Sequence, residues 1–189
     1  GSVVNQDVYG ASLHLEDITA KENKVGYGDN KYFNFSQHAI FHGVKTVDIY
    51  NSKFLNNTSY SRGTCFSESG LISSFNSLYD GNKVLAKKKN ATRKNPIPPI
   101  GLFGIIGHAL YDDGSKAEAE GALFQCGRLY LNGNKITNNY TEGYGIFSRS
   151  LTYYIGVNNL IANNTAKLGG VLTSSIIYAI SVNEAYKNN

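Results

Sequence analysis

The sequence contains no methionine and no tryptophan, and its three prolines are confined to residues 96–99. Patterns typical of helices are scarce as well, because apolar residues do not recur at the 3.6-residue spacing of an amphipathic helix. No apolar run approaches the roughly 18 residues that a membrane-spanning helix requires. These absences argue against helical and helical-membrane folds, while a hydrophobic content of 41% argues against disorder.

Cysteine is also rare, since the chain has only Cys65 and Cys126. Two cysteines in 189 residues do not make a disulfide framework. We expect both to be buried free thiols that behave as small apolar side chains, with a single bridge between them as the alternative. The two cysteines therefore do not indicate whether the protein resides in an oxidising or a reducing compartment.

The motifs of most enzyme classes are missing: there is no phosphate-binding loop, dinucleotide fingerprint, nucleophile elbow or C-x-x-C. Asp112 and Asp113 lie near His108, but Asp-Asp-Gly is typical of a turn, and most acidic residues occur singly. His38 and His42 lie in a predicted strand and turn, where four residues span about 13 Å. We predict no catalytic residue, no metal site and no cofactor.

What the sequence does contain is a repeat, in which two asparagines are followed after five residues by a glycine that opens an apolar run. The last two copies are 25 residues apart, and a fixed period of this length is typical of repeat architectures. The repeat residues are Asn56, Asn57 and Gly63; Asn138, Asn139 and Gly145; and Asn163, Asn164 and Gly170.

Each copy has an apolar residue two positions before the asparagines, at Phe54, Ile136 and Ile161, and a weaker fourth copy has Tyr79 at this position. Short strands between Asn/Gly turns also suit a sandwich or barrel, but those folds do not require a recurring spacing of 25 residues. We predict an all-β, right-handed parallel β-helix of roughly six coils with one long inserted loop. The asparagines are expected at its corners, with left-handed backbone angles and hydrogen bonds along the stack.

A resemblance to a known family lies in the same residues. The segment Phe54-Leu55-Asn56-Asn57 matches an F-x-x-N motif, and residues 163–172 look like an N-N-T-A-x-x-G-G-A-[ILV] unit. Both resemble the repeat of the polymorphic outer-membrane protein (Pmp) family of chlamydial autotransporters and surface proteins of parasitic protists. Only Gly169-Gly170 keeps the double glycine. The resemblance implies a right-handed β-helix on a cell surface that serves in adhesion.

The positive charge is concentrated in one segment. Without six basic residues in 83–94, the net charge of +4 becomes −2. They lie in a stretch, 83–120, that we predict to be an insertion interrupting the repeat. We predict that this loop binds anionic glycans or acidic lipid, with a flexible excursion that has no partner as the alternative. Its candidate binding residues are Lys83, Lys87, Lys88, Lys89, Arg93 and Lys94.

Six asparagines form N-glycosylation sequons, and four of them coincide with the corner positions of the repeat. The repeat itself explains those four, so we expect Asn90, in the loop, to be the glycan acceptor if the source is eukaryotic and secretory. The sequons are at Asn34, Asn56, Asn57, Asn90, Asn139 and Asn163. The tyrosines at 144, 153 and 154 suit either a core ladder or a recognition surface.

Taken together, the sequence predicts a single β-helix domain over residues 1–189 that is a piece of a longer, extracellular surface protein. We expect a non-catalytic adhesin fragment that contacts a host or neighbouring cell-surface receptor or an anionic glycan, with self-association as a further option. Nucleic-acid binding is not expected, because no aromatic platform accompanies the charge. Membrane attachment would come only through regions outside this fragment. A pectin-lyase-like carbohydrate-active enzyme and a structural stalk are the alternatives.

Overall fold

The computed structural model describes residues 4–5, 12–25, 41–42, 44–59, 66–67, 70–85, 109–110, 116–117, 128–141, 145–167 and 173–189. These ranges contain 22 β-strands and no helix. Most of the strands are only two to five residues long, which is the length expected between the Asn/Gly turns of the sequence.

Three parallel sheets run along the molecule. Sheet 1 has six strands: β2 (Ser12–Glu16), β6 (Thr46–Tyr50), β10 (Leu71–Phe75), β15 (Arg128–Asn132), β18 (Ser148–Val157) and β21 (Thr173–Val182). Sheet 2 also has six: β3 (Thr19–Lys21), β7 (Lys53–Leu55), β11 (Leu78–Asp80), β16 (Lys135–Thr137), β19 (Leu160–Ala162) and β22 (Ala185–Lys187). Sheet 3 has five: β4 (Lys24–Val25), β8 (Thr58–Ser59), β12 (Lys83–Val84), β17 (Tyr140–Thr141) and β20 (Thr165–Ala166).

Five further two-residue strands complete the description. The strands β1 (Val4–Asn5), β5 (Phe41–His42) and β9 (Phe66–Ser67) form a short parallel sheet. The strands β13 (Ala109–Leu110) and β14 (Lys116–Ala117) pair antiparallel with each other.

Each strand of sheets 1–3 pairs in parallel with its counterpart one coil along the chain. In sheet 1, for example, Val47 pairs with Ile72, and Ile72 pairs with Leu129. A chain that passes through sheets 1 and 2 six times in parallel register is a parallel β-helix of six coils, so the predicted fold class is confirmed. Right-handed winding is the expectation for such parallel crossovers.

The coil length is 25 residues wherever no insertion occurs, as between Ser52 and Ser77. Two coils are longer. The first coil advances 34 residues, from Ile18 to Ser52, and the third advances 57, from Ser77 to Asn134. The sequence predicted the insertion in the third coil but not the longer first coil, because the first coil has no clear repeat motif.

The predicted start of the large insertion at residue 83 is wrong. Lys83 and Val84 form strand β12, which pairs with β8 on one side and β17 on the other. The backbone N–H of Leu85 also donates to the carbonyl of Ser59 at 2.8 Å. The repeat therefore continues through Leu85 and is next described at Arg128, with the antiparallel pair β13–β14 in between.

Every coil turns two corners with the same backbone device. The residue after each strand of sheets 1 and 2 has a positive φ, between 48° and 69°, which asparagine, aspartate and glycine adopt most readily. On the first corner these residues are Asp17, Asn51, Asn76, Gly133, Asn158 and Asn183. On the second corner they are Glu22, Asn56, Gly81, Asn138, Asn163 and Asn188. The predicted left-handed corners are thus confirmed at Asn56, Asn138 and Asn163.

A hydrogen-bonded ladder of asparagines follows the second corner, and we call it the asparagine ladder. Its members are Asn23, Asn57, Asn82, Asn139, Asn164 and Asn189. In each step the backbone N–H and the side-chain amide of one asparagine both donate to the Oδ1 atom of the next, at 2.9–3.1 Å. From Asn57 onward, the amide also donates back to a carbonyl of the preceding coil, as Asn139 does to Tyr79 at 2.9 Å. One side chain therefore ties three coils together.

The first corner carries a more varied version of the same ladder. The backbone N–H of Ser52 donates to Oγ of Ser77, and that of Ser77 donates to Oδ1 of Asn134. Asn134 donates in turn to Asn159 at 2.8 Å, and the amide of Asn159 donates to Glu184 at 2.7 Å. Short hydroxyl and amide side chains recur here because a buried backbone N–H requires an acceptor.

The core lies inside these corners and is built from stacked rows of apolar side chains. In sheet 2 the inward row includes Phe54, Tyr79, Ile136 and Ile161, all fully buried. The rings of Phe54 and Tyr79 stack with their centroids 4.9 Å apart and only 2° between their planes. The hydroxyl of Tyr79 is hydrogen-bonded to Oγ of Ser74 at 2.9 Å, so a buried tyrosine is accommodated without an unpaired polar group.

The asparagine ladder generates a stability prediction. Replacing Asn139 with Ala leaves the backbone N–H of Asn82 and the carbonyl of Tyr79 without their partners in the interior. We expect the free energy of unfolding to fall by about 3 kcal/mol, measured by urea denaturation. The matched control is Asn138→Gly, which keeps the positive φ at an exposed corner and should cost less than about 1 kcal/mol. Equal losses in the two variants would contradict the prediction.

Candidate recognition surface

The candidate surface is the outer face of sheet 1, which has the longest strands of the three parallel sheets. Along each five-residue strand the second and fourth residues point into the core, while the first, third and fifth point outward, as the burial of β6 and β10 shows. Six strands spaced about 4.8 Å apart make this face about 25 Å long. It therefore has the extent of a binding surface for a macromolecule.

An aromatic row crosses this face along the axis of the helix, and it consists of His14, Tyr50, Phe75 and Tyr130. The rings of Tyr50 and Phe75 stack in parallel with centroids 4.8 Å apart. His14 and Tyr130 extend the row at either end, each with a centroid 5.3 Å from its neighbour. The rings lie on successive coils because the repeat places each strand directly beside the next.

The geometry of the row determines what it can contact. In the Tyr50–Phe75 pair the facing ring surfaces cover each other, so the ring edges remain for contact with a partner. All three of the larger rings are half-buried, which anchors them in one orientation. A row of this kind offers rigid apolar contact and hydroxyl hydrogen bonds at a low cost in side-chain entropy.

Beyond Tyr130 the same face becomes increasingly apolar. The outward residues of β18 include Tyr153, Ile155 and Val157, and their partners on β21 are Tyr178, Ile180 and Val182. The guanidinium of Arg128 lies 5.4 Å from the centre of the Tyr153 ring and supplies a positive charge at this border. The face therefore combines a polar-aromatic half with an apolar half.

The sequence analysis did not identify the aromatic row. The signal was present, because Tyr50 and Phe75 are one 25-residue period apart and both directly precede a corner asparagine. The predicted repeat motif was centred on the asparagines of the second corner, such as Asn56 and Asn57, which follow Tyr50 by six and seven residues. Of the tyrosines that it singled out, Tyr154 is buried in the core, Tyr153 is exposed on the outer face, and Tyr144 lies outside the described residues.

A second unusual site lies inside the last two coils, where four donors converge on the carboxylate of Glu184. The Oε1 atom accepts from the Tyr154 hydroxyl at 2.6 Å and from the Asn159 amide at 2.7 Å. The Oε2 atom accepts from the Tyr186 hydroxyl at 2.6 Å and from the Ser181 hydroxyl. Because both oxygens have two donors, the cluster suits a structural role better than ligand binding.

Gly156 makes the room for this cluster. It occupies an inward position between Leu131 and Ser181, and a Cβ atom there would collide with the Tyr154 hydroxyl and the Glu184 carboxylate. The space that a side chain at residue 156 would fill is thus occupied by the Tyr154 hydroxyl and the Glu184 carboxylate. Burial, and then the nearby Glu184 carboxylate, raise the pKa of Tyr154 well above its ordinary value. The same two causes raise the pKa of Tyr186.

Among the predicted binding residues, only Lys83 belongs to the described part of the chain. Its side chain is exposed on the outer face of sheet 3, where Lys24 occupies the corresponding position two coils earlier. Lys87, Lys88, Lys89, Arg93 and Lys94 lie outside the described residues, as do Cys65, Cys126, His38 and His108. Gly63, Gly170 and the predicted glycan acceptor Asn90 also lie outside them.

The corner sequons divide into two kinds. Asn57 and Asn139 are buried members of the asparagine ladder, so their amides are not accessible for glycosylation in the folded protein. Asn56 and Asn163 are the exposed residues with positive φ that precede ladder members. The repeat accounts for all four asparagines without a glycan, as the sequence analysis expected.

In the described ranges no group of three or more His, Cys, Asp or Glu residues is arranged to hold a metal ion. His14 lies on the outer face, where its Nε2 atom is 3.3 Å from the carboxylate of Glu16. Within the same part of the chain, no helix is long and apolar enough to cross a membrane.

Comparison with models of known protein families, with curated proteins and with solved structures gave no match. The resemblance to the Pmp repeat therefore stays a prediction from the sequence motifs.

The Glu184 cluster generates a prediction about pH. Because the folded state raises the pKa of Tyr154, the unfolded chain loses this proton first, near its ordinary value of 10.0. The stability that the neutral hydroxyl supplies is fully present below pH 10 and declines as the pH rises above it. We expect the free energy of unfolding to fall more steeply above pH 10 in the native chain than in Tyr154→Phe, by up to about 1.4 kcal/mol per pH unit.

The measurement is urea denaturation at a series of pH values on either side of 10. Tyr50→Phe is the matched control, since it removes one hydroxyl from the outer face. Parallel pH profiles for the native chain and Tyr154→Phe would show that the cluster contributes nothing to alkaline stability.

Proposed function

We propose that this chain is a non-catalytic recognition module of an extracellular surface protein and that it takes part in cell adhesion through the outer face of sheet 1. The observation that carries the proposal is the aromatic row, a set of rings held on four successive coils with a Tyr–Phe stack of 4.8 Å at its centre. Aromatic side chains in fixed orientations are the residues that contribute most to recognition surfaces.

The architecture supports this role in a second way. Recognition by a solenoid uses its extended side rather than a cleft, because each coil contributes a few residues to one continuous surface. Here the outer face combines tyrosine hydroxyls, the guanidinium of Arg128 and the apolar positions of β18 and β21. Such a mixture suits a protein receptor or a glycan on a neighbouring cell. The resemblance to the Pmp repeat is consistent with a role in adhesion.

The proposal predicts that the aromatic row is required for attachment. Replacing Tyr50 and Phe75 together with Ala should reduce binding of the fluorescently labelled chain to cultured epithelial cells at least about 10-fold. Tyr140→Ala is the matched control, because Tyr140 is also half-buried but lies on the outer face of sheet 3. Flow cytometry measures the binding, and circular dichroism verifies that each variant is folded.

Two outcomes would overturn this assignment. Equal loss in the Tyr140 variant would show a general effect on the fold rather than a local binding site. Absence of binding by the native chain to cells and to an array of immobilised glycans would favour the alternative role of a structural stalk.

A second candidate is the recognition of anionic glycans through the basic segment. On sheet 3, Lys83 and Lys24 pair with Thr58 from opposite sides, so their backbones lie about 10 Å apart. Both side chains are exposed. The remaining five basic residues follow within 11 positions of Lys83 in the sequence. Clustered positive charge attracts sulfated and sialylated polymers and acts over about 8 Å at physiological salt.

This candidate predicts retention on immobilised heparin that weakens steeply with salt. Changing Lys87, Lys88, Lys89, Arg93 and Lys94 to Ala should lower the eluting salt concentration markedly, since five charges are removed. Changing five exposed lysines elsewhere, Lys21, Lys45, Lys53, Lys135 and Lys187, provides a control of equal charge. An equal shift in both variants would mean that net charge, rather than this segment, governs retention.

A further inference from the structure

The outer face of sheet 1 carries two charges of opposite sign that are not paired with each other. Asp48 is an outward residue of β6, in the second coil, and Arg128 is an outward residue of β15, in the fourth. Their Cα atoms are about 12 Å apart, because two strand spacings and two residues along the strand separate them. Neither residue forms an ion pair within the described part of the chain. The face therefore offers a carboxylate and a guanidinium to a partner.

Strand β10 lies between these charges and carries none. Its outward residues are Leu71, Ser73 and Phe75, all half-buried, and it pairs residue by residue with β6 on one edge and with β15 on the other. All three strands have neighbours on both edges, so this surface lies in the middle of the helix rather than at one of its ends. Along the axis of the helix, the face thus passes from an acidic strand through an uncharged strand to a basic strand.

This order of charges is complementary to itself. Two packed sheets keep their strands within about 30° of each other, so a two-fold axis between two such faces runs either along the helix axis or along the strands. An axis along the helix axis, through the middle of the face, places Asp48 opposite Asp48 of the second copy, where like charges repel. An axis along the strands, through β10, instead places β6 over β15 of the second copy, and Asp48 comes close to the guanidinium of Arg128.

We propose that this chain binds a second copy of itself through the outer face of sheet 1, with β10 on the two-fold axis. The inference rests on the proposed function, because it names the partner of the same recognition surface. Phe75 then meets Phe75 of the second copy at the centre, and Asp48 lies opposite Tyr130, whose hydroxyl donates to the carboxylate. Both charged residues of the three strands thus gain a partner of opposite charge or a hydrogen bond.

The helix axes of the two copies run antiparallel in this contact, since a two-fold axis along the strands reverses the order of the coils. Two rods that project from opposed cell surfaces also meet with antiparallel axes. The geometry therefore suits adhesion between neighbouring cells that carry the same protein.

The area of the face sets the strength of one contact. Five coils, each with five paired residues in sheet 1, cover about 24 Å by 17 Å, or about 400 Å² of each copy. Standard protein interfaces bury about 800 Å² per partner. A single pair of copies therefore associates weakly, and firm attachment requires many copies on each surface, where the contacts become multivalent.

The test is the aggregation of fluorescent beads coated densely with the chain, because a dense coat makes a weak contact multivalent. We expect native beads to aggregate, and both Asp48→Arg and Arg128→Asp to lower the aggregated fraction at least about 10-fold, because each variant opposes like charges at two places in the contact. Lys135→Asp is the matched control, since Lys135 is exposed in the same coil as Arg128 but lies on sheet 2. It should aggregate like the native chain.

Mixing the two variants tests the orientation of the copies. Between an Asp48→Arg bead and an Arg128→Asp bead, residue 48 of each copy again meets an opposite charge at residue 128. Red and green beads should therefore aggregate together although neither variant does so alone, and this recovery also shows that both variants are folded. Native beads that stay dispersed would overturn the proposal, as would an equal loss in Lys135→Asp or a failed rescue between variants that circular dichroism shows to be folded.

Attachment to epithelial cells separates this proposal from the function on which it rests. Native beads that stay dispersed, while the chain binds cells through Tyr50 and Phe75, would reject the self-contact and leave a different receptor as the partner. A chain that neither aggregates beads nor binds cells would reject both. Aggregation with the expected rescue supports the contact between copies whether or not epithelial cells carry a receptor.

Discussion

The asparagine ladder at the second corner is the constraint on which the rest of the structure depends. Each amide donates to the next coil, and from Asn57 onward also to the preceding one, so it fixes both the spacing of the coils and their register. A parallel strand of two or three residues has little pairing energy of its own and could slip along its neighbour. A buried side chain that must satisfy specific backbone groups prevents this slip, because any displaced register would leave those groups unpaired.

The fixed register turns residues that are distant in sequence into neighbours on a surface. Tyr50 and Phe75 stack because their strands are aligned residue by residue, and Tyr130 joins them across an insertion that lengthens its coil to 57 residues. In the proposed function the corners thus act indirectly. They hold the outer face rigid, and a rigid face can contact a partner without first losing conformational entropy. Insertions are tolerated between coils because the ladder resumes at the same position on the next pass.

The packing of a coil depends on the coils beside it. An interior coil has its backbone groups and core side chains satisfied by coils on both sides, as Tyr79 has by Phe54 and Ile136. At the first-corner position that Asn134 and Asn159 occupy in the preceding coils, the sixth coil carries Glu184, whose carboxylate accepts four hydrogen bonds.

The sequence by itself determined the architecture, because the 25-residue spacing of paired asparagines is a local pattern that permits few folds. It also identified Phe54, Tyr79, Ile136 and Ile161 as the apolar position two residues before the corner, and all four are buried in the structure. Only the tertiary structure decided that Lys83 belongs to a strand, that Asn57 and Asn139 point inward while Asn56 and Asn138 point outward, and that an aromatic row exists. The physical reason is that these properties arise from pairing between coils. Whether a side chain is core, corner or surface depends on the strand beside it, up to 57 residues away, and no window along the chain contains both.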